Sequence, residues 1–333
     1  MEAPDIRYTT TKDGTRIAYG LYQGHGAPVL TAGPPGEMNF ARLHKNPAIA
    51  AQVDEELAGR RAVRFDWRGM GLSGPLTPPI SVAHQVMDLE AVCEAVGEPV
   101  DLISWCMACF PAVTVAVARP ELVRSLVMVV PDYEGSDSHY ASLFAIRTTM
   151  DDLDWREMIV RNDMDLSSAD ALAVARHWQR EVPLEVFDAH LAAGAAGSLA
   201  ELAPQLAIPT GVIAGVRARR QAEAVMAAIP HASLRYVEEL HVNAESGRAI
   251  RELRELVTGH AEPSAKRPVP AAISDRKCEV LAAIASGASN SEIAERLCLS
   301  TRTVERHVQN IYGKLGVHNR AAAVAWAIRN GLA

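Results

Sequence analysis

No stretch of this sequence stays apolar for the roughly 20 residues that a bilayer-spanning helix needs. Its longest apolar run, Leu122 to Pro131, is about half that length and contains Arg124. The opening residues, Met1-Glu2-Ala3-Pro4-Asp5, lack the basic start and apolar stretch of a secretory leader. Cysteine is scarce and odd in number, five in 333 residues, so no disulfide framework is implied and a reducing, cytoplasmic setting is expected. No histidine or carboxylate pair stands at ligand spacing beside those cysteines, and neither a metal nor a cofactor is expected. Internal repeats and low-complexity tracts are missing too, which excludes solenoid and fibrous architectures.

What remains is a globular balance, 49% apolar and 22% charged, on a chain too long for one ordinary domain. Charge is unevenly distributed. Residues 266–333 hold ten Lys/Arg against five Asp/Glu, while the rest holds 23 against 35. A basic tail on an acidic body predicts that only the tail meets polyanions. The two are joined by GHAEPSAKRPVPAA, where Pro263, Pro268 and Pro270 break any helical or strand period. We therefore expect a first domain over 1–258, a linker over 259–271 and a second domain over 272–333.

In the long segment, strand-like runs recur at Arg7–Thr10, Arg16–Tyr19, Pro28–Ala32, Ala62–Phe65, Val100–Ile103, Leu126–Val130, Thr210–Ala214 and Ser233–Val237. Helix-period stretches such as Val82–Val96 and Ala112–Ala118 lie between them. Continuous apolar strands alternating with helices predict an α/β fold, a mostly parallel sheet covered on both faces. Residues from about 138 to 205 are helical in pattern throughout and read as a helical cap, in which Trp155, Trp178 and Phe187 are candidate walls of an apolar cavity.

After the linker the pattern is all-α. Ser274 caps a helix with Val280, Leu281 and Ile284; a short second helix begins near Asn290; Thr301 opens a third with Val304, Val308, Ile311 and Leu315 on one stripe; a fourth runs from about Arg320 to Asn330. Two short helices around the tight Cys298-Leu299-Ser300 connection make the helix-turn-helix plan. Arg276, Glu279-Val280-Leu281, Glu292-Ile293-Ala294, Thr303-Val304, His307, Ile311, Lys314-Leu315 and Arg320 together resemble the DNA-binding domain of LuxR-type (GerE-type) bacterial regulators. One departure is Lys277, where that family usually has an acidic residue. The resemblance implies a third helix in the major groove and a fourth that pairs two subunits. Glu305, Arg306 and Gln309 then face base edges, and Thr301, Arg302, Thr303 and Lys314 face phosphate. The implied partner is double-stranded DNA, a palindromic operator read by a homodimer.

The first domain carries a second resemblance. Asp66-Trp67-Arg68-Gly69-Met70-Gly71-Leu72-Ser73 is similar to the D-x-R-G-x-G-x-S loop of α/β-hydrolases, and Ser104-Trp105-Cys106-Met107-Ala108 falls where that fold places its nucleophile elbow. The resemblance implies Cys106 in the nucleophile position and His241 in the base position. It also exposes two defects. Where the acid usually follows its strand the sequence reads Gly215-Val216-Arg217-Ala218-Arg219-Arg220, and where an oxyanion N–H is needed it has Pro34. An α/β-hydrolase-like domain with these defects implies a sensor of a small, largely apolar effector, with Pro34, Trp105, Cys106, Met107, Asp132 and His241 around the pocket. Two rival readings stay open: a working cysteine hydrolase that takes its acid from Asp132 (with Glu134 as second choice), and a thiol redox sensor built on Cys106 and Cys109, a C-x-x-C at a helix start.

Overall fold

A computed structural model describes residues 3–34, 40–41, 46–75, 79–131, 133, 145–164, 166–238, 240–259, 279–281, 283–284, 288–297 and 299–315. The chain forms two compact units, Met1–His260 and Ala261–Ala333.

The first unit is built on an eight-stranded sheet in the order β1-β2-β4-β3-β5-β6-β7-β8. Strands β1 (Asp5–Thr10) and β2 (Arg16–Tyr22) form a hairpin, and β2 runs antiparallel to β4 (Arg60–Phe65). From β4 onwards every pairing is parallel, through β3 (His25–Ala32), β5 (Val100–Trp105), β6 (Val123–Val129), β7 (Thr210–Gly215) and β8 (Ser233–Val237). The hairpin apart, this is the parallel α/β sheet expected.

Successive strand residues point to opposite faces, so a strand covered on both sides must be apolar at every position. Leu30, Leu102, Leu126 and Val212 belong to one buried cluster; their sequence neighbours Val29, Ile103, Val127 and Ile213 belong to the other. The first face is covered by α2 (Val82–Val96), α3 (Cys109–Ala118) and α7 (Arg219–Ala228), the second by α1 (Pro47–Leu57) and α8 (Ala244–Thr258). α1 and α8 cross at Gly247, where a Cβ would come within 2.1 Å of the Gln52 carbonyl oxygen, so only glycine permits the approach. Between β6 and β7 lies the cap: α4 (Asp152–Met164), α5 (Ser168–Glu181) and α6 (Leu184–Ala195).

In the second unit, residues 279–281 and 283–284 are helical, followed by α9 (Asn290–Arg296) and α10 (Thr301–Leu315). Val280, Leu281, Ile284, Ile293, Val304, Val308 and Ile311 form its core. A capping box starts α9: Ser289 Oγ accepts from the Glu292 amide at 3.3 Å and Glu292 Oε2 accepts from the Ser289 amide at 2.6 Å. Ser300 caps α10, accepting from the Thr303 amide at 3.1 Å. The expected cap Ser274 and the expected fourth helix lie outside the described residues.

Candidate functional site

The carboxyl edge of the parallel sheet gathers the candidate pocket residues, as is general for open α/β sheets. β5 ends at Trp105, a short 3-10 turn spans Cys106–Ala108, and α3 follows directly. Cys106 is held at φ 54°, a conformation that a residue with a Cβ adopts only when its surroundings impose it. This is the strained strand-to-helix elbow. The positive φ sits at Cys106 itself, while the positions where hydrolases carry elbow glycines, Ser104 and Ala108, are fully buried small residues. Cys106 is 5% exposed and Met107 3%. Trp105 is half-buried at the strand end.

Sheet register places the neighbours. Ala32 of β3 pairs with Ser104 of β5, the last pair of that ladder, and Pro34 and Cys106 each follow two residues later, after adjoining strand ends. Pro34 is half-buried and has no N–H to offer. On the other side Trp105 pairs with Val129 of β6, and the next residue there, Val130, is also at positive φ, 48°. Its amide donates to the Ile213 carbonyl at 2.8 Å, and such a backbone at a β-branched residue costs on the order of 1–3 kcal/mol. Two of the three non-glycine residues at positive φ among the described residues thus follow adjacent strands at the elbow, the third being Ala58, and nothing in the sequence signalled Val130. Asp132, the candidate acid, lies outside the described residues, as does Glu134.

His241 lies in the loop between β8 and α8, half-buried, two residues before Asn243, whose side chain caps α8. That loop folds back over the end of β7: a Cβ on Gly215 would lie 3.7 Å from the Leu240 amide nitrogen. Cys106 and His241 therefore both follow carboxyl ends of the sheet, after β5 and after β8, with β6 and β7 between those strands.

Cys106 and Cys109 are buried and share no disulfide. Cys109 turns under the elbow instead, accepting from Ser104 Oγ at 3.4 Å and reaching the Ser104 carbonyl at 3.5 Å.

The loop resembling D-x-R-G-x-G-x-S acts as a brace. Asp66 accepts from the amides of Phe40 at 3.0 Å and Leu72 at 2.8 Å, and Ser73 Oγ donates to the Asp66 carbonyl. A Cβ on Gly71, at φ 49°, would meet Asp66 Oδ2 at 2.1 Å. Arg68 forks onto buried Asp88, with Nε and Nη2 at 2.9 and 2.7 Å from Oδ1, and its Nη1 reaches Asp13 at 2.7 Å. Burial lifts the Asp88 carboxyl to about 6 against the pull of Arg68, whereas at Asp13 hydrogen bonds from Arg68 and Thr11 outweigh burial and hold the carboxyl well below its usual range. Both are anionic at neutral pH, so Arg68 stands between two carboxylates.

The cap aromatics pack on one another. Ring centroids of Trp155, Trp178 and Phe187 are 5.3 to 5.9 Å apart, and the buried Arg156 guanidinium stands 4.7 Å over the Trp178 ring. They form the interior of the cap. What α6 presents to the elbow is Gly194, where a Cβ would lie 3.0 Å from Met107 Cβ; one turn earlier the helix carries the buried His190, which no sequence motif had marked.

In the second unit Thr301, Arg302, Glu305, Arg306 and Gln309 are exposed on α10, opposite the buried Val304, Val308 and Ile311. Thr303 and His307 are half-buried. Lys314 belongs to the last turn of the helix, with its side chain outside the described residues. Among the described residues no His/Cys/Asp/Glu cluster is placed to hold a metal, and no helix is long and apolar enough to cross a membrane.

Residues 25–274 match the Alpha/beta hydrolase family, and residues 271–327 match the luxR family of bacterial regulatory proteins. Over 79 residues the chain is 48% identical to the probable transcriptional regulatory protein NarL of Mycobacterium tuberculosis, covering 23% of this chain and 37% of that one. Over 55 residues it is 46% identical to the Fimbriae Z protein of Escherichia coli K12, covering 16% and 26%. The chain thus spans well under half the length of these relatives. Among solved structures, a hydrolase from Pseudomonas aeruginosa PA01 superposes with a TM-score of 0.60 at 19% identity, covering 78% of this chain and 100% of that one. The enol-lactonase from Burkholderia xenovorans LB400 does so with 0.61 at 17%, covering 75% and 98%. At such identities the likeness concerns the fold. The chain belongs to the alpha/beta hydrolase family and carries, after that domain, a DNA-binding domain of the luxR family of bacterial regulatory proteins.

Proposed function

We propose that the protein is a sequence-specific DNA-binding transcriptional regulator whose hydrolase-like domain binds a small, largely apolar effector. In this reading residues 1–258 sense, 259–271 link and 272–333 read DNA, as a cytoplasmic homodimer on a palindromic operator. Glu305, Arg306 and Gln309 take base edges, and Thr301, Arg302, Thr303 and Lys314 take phosphate. One observation carries the sensing half: the elbow that strains Cys106 to φ 54° follows the strand next to the one that leads into Pro34, which has no N–H. Losing one oxyanion donor costs on the order of 10²–10³ in rate, so the site retains a shape for an acyl compound better than it retains turnover. The effector acts by binding the two DNA-affinity states unequally.

The test is to select operators from a random duplex pool with the full chain, then to measure operator affinity at fixed salt with and without a compound that raises the thermal stability of the protein. No selected site would sink the DNA reading. A compound that binds yet leaves operator affinity unchanged would sink the coupling.

The elbow conformation at Cys106 also favours a second reading, a cysteine hydrolase with His241 as base and Asp132 as acid. Turnover of p-nitrophenyl acetate that vanishes in both Cys106→Ala and His241→Ala supports that reading. Turnover that survives either substitution removes it.

A further inference from the structure

Helix α6 of the cap meets the elbow and the loop after β4 with residues one turn apart. His190 and Gly194, at i and i+4, share one face of the helix. Gly194 lies on Met107, the residue after Cys106. His190 is 0% exposed and makes two hydrogen bonds to the core. Its Nε2 is 2.9 Å from the Arg68 carbonyl, which can only accept, so Nε2 carries the hydrogen. Its Nδ1 is then the acceptor for the Gln85 amide at 3.1 Å, and Gln85 is itself buried. Burial suits this neutral ring, with its proton affinity pushed down to about 4.

Arg68 leads on to the Gly33–Pro34 turn. The preceding residue, Trp67, has its ring 6.5 Å from that of His190 and donates its Nε1–H to the Gly33 carbonyl at 3.0 Å, directly before Pro34. The contacts therefore run from α6 through His190, Arg68 and Trp67 to the Gly33–Pro34 turn, which follows the strand next to the one that ends in the elbow.

We infer that His190 is a positioning residue, the bolt that holds α6 down over Cys106 and braces the Gly33–Pro34 turn against the elbow. The inference rests on reading the Cys106 elbow as the pocket of the proposed regulator. Any occupant that displaces α6 must break the His190–Arg68 bond, and so loosens the loop that carries Trp67. Gln85 acts through His190 by fixing its tautomer.

The experiment needs neither effector nor DNA, so its failure is distinguishable from failure of the regulatory reading. Cys106 in the full chain is alkylated with iodoacetamide and the rate is read by peptide fragmentation, alongside amide exchange over residues 66–75. Cys93, buried with its thiol pushed up to about 12, reports global loosening. His190→Asn keeps an acceptor near Gln85 but is too short for Arg68. We expect it to raise Cys106 alkylation about tenfold, the order expected for one lost buried hydrogen bond, with faster exchange at 66–75 and no labelling of Cys93. His190→Gln, which places a donor near the Nε2 position, is expected to stay within about twofold of wild type. Gln85→Met, a second variant that leaves His190 in place, should raise the Cys106 rate less than His190→Asn does. Equal rates in the Asn and Gln variants would overturn the inference, as would Cys106 labelling that rises only together with Cys93.

Discussion

Trp67 donates its indole N–H to the carbonyl of Gly33 across 3.0 Å, tying the loop after β4 to the loop after β3. The two residues are 34 apart in sequence, and the bond fixes the turn that delivers Pro34 to the elbow. Trp67→Phe keeps the edge-on packing against Phe65 but leaves the Gly33 carbonyl without this donor. A loss of about 1 kcal/mol is expected in urea unfolding, together with faster amide exchange at residues 32–33. Unchanged exchange there would show that the turn is held by other contacts.

Pro34→Ala restores an N–H after the strand that adjoins the elbow strand. If proline is what silences the site, p-nitrophenyl acetate turnover rises by roughly 10² and disappears again when Cys106→Ala is added. No gain in the single variant would mean that the missing donor is not the limiting defect.

His190 makes stability depend on pH with a defined sign. Its folded proton affinity lies at about 4, pushed down by burial from an ordinary 6.5. Between those values the unfolded chain binds the extra proton, so the contribution is complete above pH 6.5 and is lost as pH falls to 4. The amount is about 3 kcal/mol. Asp88, whose folded value is raised from 3.8 to about 6, works in the opposite direction over much of the same range. The measurement is therefore the difference between wild type and His190→Gln in urea unfolding at several pH values. That difference should shrink steadily from pH 7 to pH 4, and a flat difference would contradict the neutral buried ring.

On the DNA side, Arg306→Ala should relax preference at one base position and cost about 1–3 kcal/mol at the selected operator. Lys314→Ala should weaken binding to all sequences alike and reduce the salt slope by roughly one unit. Uniform losses of equal size in both would show that the assigned roles are wrong.

Much of the fold was legible because its signals are local. Ser81 and Gly97 bracket Val82–Val96, and the helix occupies that span, with Gly97 at φ 78° ending it. Thr301 opens α10 as expected, because Val304, Val308 and Ile311 recur at helical spacing. The strand Ser233–Val237 likewise has the bounds its sequence pattern predicted. The elbow was legible as a resemblance, but which of its residues takes the positive φ was not. The structure puts the strain at Cys106 itself and shows Ser104 and Ala108 as packing residues.

By itself, then, the sequence determined the elements, the two-part division of charge and the positions that carry both family resemblances. Backbone preference and side-chain periodicity act over a few residues, and a single chain displays them in full. Tertiary structure alone decided which strand ends meet, so that the strand leading into Pro34 lies beside the one ending in the elbow, and Val130 on the other side is strained like Cys106. It also turned the Asp66–Ser73 loop into a brace and drew Trp155, Trp178 and Phe187 into the cap interior. His190 belongs wholly to this second class. Its partners Gln85 and Arg68 lie 105 and 122 residues away, and a lone histidine in a helix gives no sign of them until the cap closes on the sheet and water is excluded from all three.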